Sequence, residues 1–211
     1  MTKTIRILGR ERAYDGHFKI DRYELEQEAD GRKFRMVREN FERGNAAAVL
    51  LYDPEMDAVL TVEEFRIGYL AAGFSGEDSF TLGPIAGVIE EGCSPEETVI
   101  REAMEEAGVE ICEADLLPGF TTLPSPGGTS ERVTMFVARA DLSGIEPGRQ
   151  FGVDGEAEQT WRHVLPRQDV LALCMNTPAN GHLAALMMRL EISILGGLFP
   201  RKAADAAEPG M

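Results

Sequence analysis

The sequence predicts an α/β sandwich built on a mixed sheet, with a small antiparallel β unit in front of it. Three observations carry this. Apolar runs of strand length recur from residue 46 onward, a capped helix with one apolar face stands in mid-chain, and two helical patterns come late. With 211 residues and 44% hydrophobic content, the chain can bury one large core and carry a small appendage.

Residues 1–43 read as the appendage. His17–Gln27 and Lys33–Phe41 are strand-like and flank Ala29-Asp-Gly-Arg32, a turn signal, so a two-stranded hairpin is expected. A hairpin alone is marginal in water and must pack on something, for which a partner subunit is the natural choice. Residues 44–200 should form the main domain. Ala46–Tyr52 is a continuous apolar run suited to a buried strand, and Asp53-Pro-Glu-Met-Asp57 turns it into a second strand, Ala58–Phe65. Gly68–Ser79 reads as a loop, and Phe80–Ala86 as a strand leading into the central helix. Leu116–Leu123 and Arg132–Ala140 are strand-like, on either side of the turn-rich Pro124–Glu131. Residues 141–157, rich in glycine and acid, read as a mobile loop. Glu158–Leu165 is expected as the last strand, followed by helices over 166–175 and about 180–195. The composition of 201–211 is that of a disordered tail.

The central helix has local signals at both ends. Ser94 and Glu97 form a capping-box pair, Pro95 takes the first helical position, and Gly108 stands where the helix should stop. Val99, Ile100, Ala103, Met104 and Ala107 share one face. Glu102, Glu105 and Glu106 crowd together beside it, near the negative end of the helix dipole. Arg101 is one turn from Glu97 and Glu105, yet it cannot neutralise the cluster. A cation is expected there. Oxygen donors alone suit Mg²⁺, or Mn²⁺, and the chain has no His/Cys spacing for zinc; His17, His163 and His182 show no ligand pattern. The plain alternative is a solvated acidic helix face.

The formal charge of −15 argues against a nucleic-acid polymer or an anionic membrane as partner. A small anion presented as a metal complex remains compatible. Cys93, Cys112 and Cys174 lack motif spacing and read as reduced thiols of a cytoplasmic protein. The first residues lack the apolar core of a signal peptide, and the apolar stretch 182–199 contains Arg189 and Glu191, so no membrane span is expected.

From Gly87 to Val109 the chain resembles the Nudix box, G-x5-E-x7-R-E-U-x-E-E-x-G-U with U aliphatic. Gly87, Arg101, Glu102, Glu105, Glu106, Gly108 and Val109 match their positions; Cys93 replaces the first glutamate, and Ala103 is a weak aliphatic. More widely, the chain is similar to the ADP-ribose pyrophosphatase and nucleoside diphosphate sugar hydrolase group. Phe41-Glu-Arg-Gly-Asn45, Glu64-Phe-Arg66, Ile85-Ala-Gly87, Ser125–Glu131 and an acidic loop before the last strand occur in the same order.

This resemblance implies metal-dependent hydrolysis of the diphosphate in a nucleotide sugar, foremost ADP-ribose to AMP and ribose 5-phosphate. It implies a homodimer joined through the N-terminal unit, which would also hold the base side of the substrate. Metal ligands would be the Ala86 carbonyl, Glu102, Glu106 and Glu158. Catalytic residues would be Glu156 as general base, with Glu105 and Arg101 assisting. Substrate contacts would come from Arg38, Arg66, Gly127, Gly128, Thr129, Ser130 and Glu131. For the arginines the alternative is a surface ion pair, and for the glycine loop a simple hairpin turn. Gly83 and Cys93 stand where the group often carries glutamates. GDP-mannose is the alternative substrate, since Arg43-Gly-Asn45 also suits that branch; a catalytically weak nucleotide-binding or regulatory module is the alternative of another class.

Overall fold

Strand β4 (Ala46–Asp53) is buried along nearly its whole length, on both faces, as its unbroken apolar sequence requires. It pairs antiparallel with β5 (Ala58–Phe65) across the 53–57 turn, where Asp53 accepts from the amides of Glu55 and Met56. The computed structural model that shows this describes residues 3–152 and 159–199. The chain divides into two compact units: residues up to Ala46 together with Thr121–Val133, and Ala47–Phe120 together with the residues from Thr134 on.

The larger sheet continues with β6 (Phe80–Gly83), β7 (Ile85–Val88), β8 (Phe120–Thr122), β9 (Val133–Arg139), β10 (Gln150–Phe151) and β11 (Thr160–Pro166). Its order is β10-β11-β5-β4-β9-β8, with β6 on β5 and β7 on β4. The helices are a short α1 (Ile67–Ala71), α2 (Pro95–Ala107), α3 (Arg167–Asn176) and α4 (Gly181–Leu195). Helix α2 covers one face of the sheet. There Val99, Ala103 and Ala107 close a core with Ala47, Val49, Leu51, Leu60, Val62 and Ile85. Helices α3 and α4 pack on each other, α3 also on β5 and β11 and α4 on β6.

Several sequence expectations change at this level. Pro84, which has no amide to donate, splits the run 80–86 into β6 and β7. The 116–123 strand shortens to β8, and α1 occupies part of the 68–79 loop. The stretch read as a mobile loop is anchored over 141–152: β10 pairs with β11, and the Gly148 amide donates to the Arg162 carbonyl at 2.7 Å. No helix of the described residues is long and apolar enough to cross a membrane.

The first unit corrects the hairpin expectation. It is a three-stranded antiparallel sheet, β1 (Lys3–Asp15), β2 (Lys19–Ala29) and β3 (Arg32–Glu42), in that order. Strand β1 escaped notice because register shifts between Ile7 and Gly9 and between Arg12 and Tyr14 break its period-two alternation. The expected turn is present, with Asp30 and Gly31 both at positive φ.

Candidate active site

Helix α2 begins as its sequence directs. The Ser94 side chain accepts from the Glu97 amide at 3.1 Å, and the Glu97 carboxylate accepts from the Ser94 amide at 2.8 Å. The bond from the Ser94 amide holds the Glu97 carboxyl below its usual pKa. Glu97 is thereby committed to the cap, and Arg101 pairs elsewhere. Gly108 ends the helix at φ 62°, and its amide and that of Val109 donate back to Met104 and Ala103.

The inward stripe of α2 is rotated from the expected one. Met104 is 49% exposed, whereas Glu106 is buried. Burying a carboxylate is costly without a partner, and Glu106 has one: it accepts from the Ala86 amide of β7 at 3.1 Å. One turn earlier, Glu102 lies against Gly87. A Cβ at Gly87 would fall inside the Glu102 carboxylate, so only glycine admits that side chain there. Ala86 and Gly87 therefore seat Glu106 and Glu102 side by side on the β7 backbone.

Arg101 braces the outer edge of the cluster. Its guanidinium lies 2.6 Å from Glu105, 2.9 Å from Glu102 and 3.6 Å from Glu90. Burial acts to lower its pKa, but the charges of Glu102 and Glu105 outweigh this and hold it above the ordinary value. The Cys93 amide donates to the Glu90 carbonyl at 3.1 Å, closing a turn with Gly92 at φ 88°. Cys93 itself is exposed.

Glu102, Glu106 and the Ala86 peptide are hard oxygen donors, suited to a Mg²⁺-like ion. Among the described residues no three carboxylate, histidine or cysteine side chains form a ready-made metal cage. Two of the expected carboxylates are seated together, and Glu158, the third, lies outside the described residues, as does Glu156. The donor chemistry of the seated pair fits a divalent cation.

Elsewhere in the second unit, Arg66 follows β5 at the start of α1, and its side chain pairs with Glu64. A Cβ at Gly83 would stand 3.8 Å from the Arg66 guanidinium and 3.3 Å from the Asn180 amide nitrogen.

The first unit gathers the other expected substrate contacts. Residues 125–131 are more than a hairpin turn, since they dock onto the end of β3. Phe41 donates its amide to the Gly128 carbonyl at 2.8 Å, Asn40 donates to Ser130 Oγ at 2.9 Å, and Ser130 Oγ donates to Glu42 at 2.6 Å. That last bond holds the Glu42 carboxyl below its ordinary pKa. Buried Glu131 is raised by desolvation, although Arg43, 3.3 Å away, pulls the other way. Arg38 shares a β3 face with Asn40 and bonds the Val37 carbonyl at 2.8 Å. Gly127 and Gly128 have open space around their Cα atoms.

Sequence reasoning missed what holds the far end of α2. Thr160 Oγ1 donates to the Glu106 carbonyl at 3.1 Å, and Arg162 donates to the Ala107 carbonyl at 2.7 Å. Part of the cation expected at the negative helix end is thus Arg162, from a strand more than fifty residues away.

Comparison with known proteins agrees with this geometry. A NUDIX domain model matches residues 42–186. The chain is 39% identical over 169 residues to an ADP-ribose pyrophosphatase of Escherichia coli strain K12, covering 78% of this chain and 76% of that protein. It is 33% identical over 183 residues to an ADP-ribose pyrophosphatase of Haemophilus influenzae, covering 84% and 81%. It is 36% identical over 162 residues to a GDP-mannose pyrophosphatase of Yersinia pestis, covering 74% and 75%. Among solved structures, one titled an ADP compounds hydrolase aligns over 92% of this chain and 95% of that one, with TM-score 0.66 and 21% identity, which speaks to the fold alone.

Proposed function

Because the chain belongs to the Nudix family, we propose that it is a Mg²⁺-dependent pyrophosphatase that cuts ADP-ribose into AMP and ribose 5-phosphate. The observation that carries this reading is the pair Glu102 and Glu106, seated on Gly87 and Ala86 and braced by Arg101. The similarity to ADP-ribose pyrophosphatases over about three quarters of both chains supports the substrate.

In this reading Glu102, Glu106 and the Ala86 carbonyl hold the ion, with Glu158 adding a carboxylate; Mn²⁺ would serve in its place. When bound there, such an ion would supply charge neutralisation for the diphosphate oxygens and lower the pKa of an attacking water. Arg101 keeps Glu102 and Glu105 in place, and Glu156 takes the water's proton. Arg66, Arg38 and residues 127–131 bind the substrate, with Gly127 and Gly128 leaving room for a sugar close to the backbone.

A homodimer through the first unit belongs to the proposal. On one face of that sheet the register aligns Ile7 with Leu25 and Met36, and Ile5 with Gln27 and Phe34; Ile5, Ile7 and Phe34 are each more than half exposed. An apolar face of this kind needs a cover. Removing residues 1–42 is expected to yield monomers or aggregates without activity, and a soluble, active monomer would end this part of the reading. A cytoplasmic setting is supported by three cysteines, all free.

A panel of nucleotide sugars with Mg²⁺, read as phosphatase-sensitive product, tests the whole. Preferential turnover of ADP-ribose supports the proposal. Preferential turnover of GDP-mannose supports the second reading, which the Yersinia pestis relative and Arg43-Gly-Asn45 favour. Binding of ADP-ribose with no turnover would show a binding module instead.

A further inference from the structure

Arg162 belongs to no motif. It is buried, and among the described residues no carboxylate forms an ion pair with it. Its guanidinium is held by backbone carbonyls, NH1 donating to Ala107 at 2.7 Å and Nε to Glu146 at 3.0 Å. The Phe151 ring covers it at 4.8 Å. Burial lowers its pKa and Arg149 adds to this, so the protein bears a cost to keep a cation here.

That cost has a local return. The last carbonyls of a helix lack intrahelical partners and carry its negative end, and Glu105 and Glu106 add charge to the same turn. Arg162 answers the Ala107 carbonyl while Thr160, two residues before it on β11, answers the Glu106 carbonyl at 3.1 Å. Gly108 completes the fit, since a Cβ there would stand 2.5 Å from the Phe151 ring. The backbone of Glu106 is thus fixed on one side by β11, and its side chain on the other by the Ala86 amide.

We propose that Arg162, with Thr160, is a positioning residue that fixes the last turn of α2 so that Glu106 presents its carboxylate to the divalent ion. The inference rests on the metal-dependent reading of the site. A mere helix cap would matter only for stability, so the decisive readout is metal binding without substrate.

The experiment compares wild type, Arg162→Met, Arg162→Lys and Thr160→Val by Mn²⁺ titration followed by electron paramagnetic resonance, by thermal melting, and by kcat and KM. Arg162→Met is expected to bind Mn²⁺ about tenfold more weakly and to lose kcat to a similar degree with little change in KM. Arg162→Lys should recover part of both, because an ammonium keeps the charge but not the planar fork that reaches two carbonyls. Thr160→Val should shift both in the same direction by less. Lower melting with wild-type Mn²⁺ affinity in Arg162→Met would overturn the proposal. If that variant does not fold, unchanged Mn²⁺ affinity in Thr160→Val overturns it. A wild type that binds Mn²⁺ but hydrolyses no nucleotide sugar would instead defeat the functional reading, and the Mn²⁺ comparison would still decide this one.

Discussion

The two ends of α2 are built by opposite means. The first turn is closed by residues within four positions of one another, Ser94, Pro95, Glu97 and Thr98, through bonds that never leave the segment. The last turn has its own local stop at Gly108, but it is also tied from afar, by Ala86 on β7 and by Thr160 and Arg162 on β11. The first end contributes helix stability. The second sets where Glu102 and Glu106 point. The carboxylates proposed to hold the ion are oriented by the tertiary fold, and the residues that cap the helix start are oriented by the helix itself.

The largest effect is expected at the far end of α2. Glu106→Gln removes a charge from the seated pair while leaving an acceptor for the Ala86 amide. Fold and melting temperature should change little, while metal-dependent turnover should fall by about a hundredfold or more. Steady-state kinetics across a Mg²⁺ titration checks this, and an enzyme restored by excess metal to wild-type kcat would show that Glu106 only tunes affinity.

Next comes Gly87→Ala. The added Cβ must displace the Glu102 carboxylate. We expect kcat to drop by about tenfold or more, with KM for the nucleotide sugar nearly constant. A variant with normal kcat would mean that Glu102 works from a position other than the one it holds against β7.

The same contrast explains what was legible in the sequence. Strands β4 and β5 and helix α2 were readable because continuous apolar runs, turn residues and caps act over a few residues. The box residues Arg101, Glu102, Glu105 and Glu106 were readable as a cluster because three- and four-residue spacing fixes neighbours on a helix. Strand β1 was hidden by its register shifts. The exposure of Met104 depended on Glu106 finding the Ala86 amide, a partner twenty residues back. Arg162 had no local signature at all. The docking of Ser125–Glu131 onto Asn40–Asn45 was visible only as two separate motifs, never as a contact.

Cys93 tests the junction between the two regimes. It stands where the box has a carboxylate, but Glu90 already lies 3.6 Å from Arg101. Cys93→Glu is therefore expected to change kcat by less than about tenfold, roughly 1.4 kcal/mol of barrier. Glu90→Gln should cost more in the wild-type background than in Cys93→Glu, and a double-mutant cycle measures that difference. An inactive natural protein rescued by Cys93→Glu alone would show that the position is catalytic.

The smallest effects belong to the first end of the helix. Ser94→Ala removes the cap to the Glu97 amide and should lower stability by about 1 kcal/mol, with kcat unchanged. Glu97→Gln isolates the charge, because glutamine can still accept from the Ser94 amide. The Glu97 carboxyl is held below its ordinary pKa in the folded protein, first by the Ser94 amide and then by the Ser94 hydroxyl. A lowered folded pKa means that the ionised form favours folding. The contribution is therefore complete above the ordinary glutamate range and disappears as pH falls through the folded value. Urea melts should show wild type ahead of Glu97→Gln at neutral pH and level with it in strong acid. A difference that persisted in acid would assign the effect to shape rather than charge, and a loss of kcat in either variant would show that this end, too, orients the chemistry.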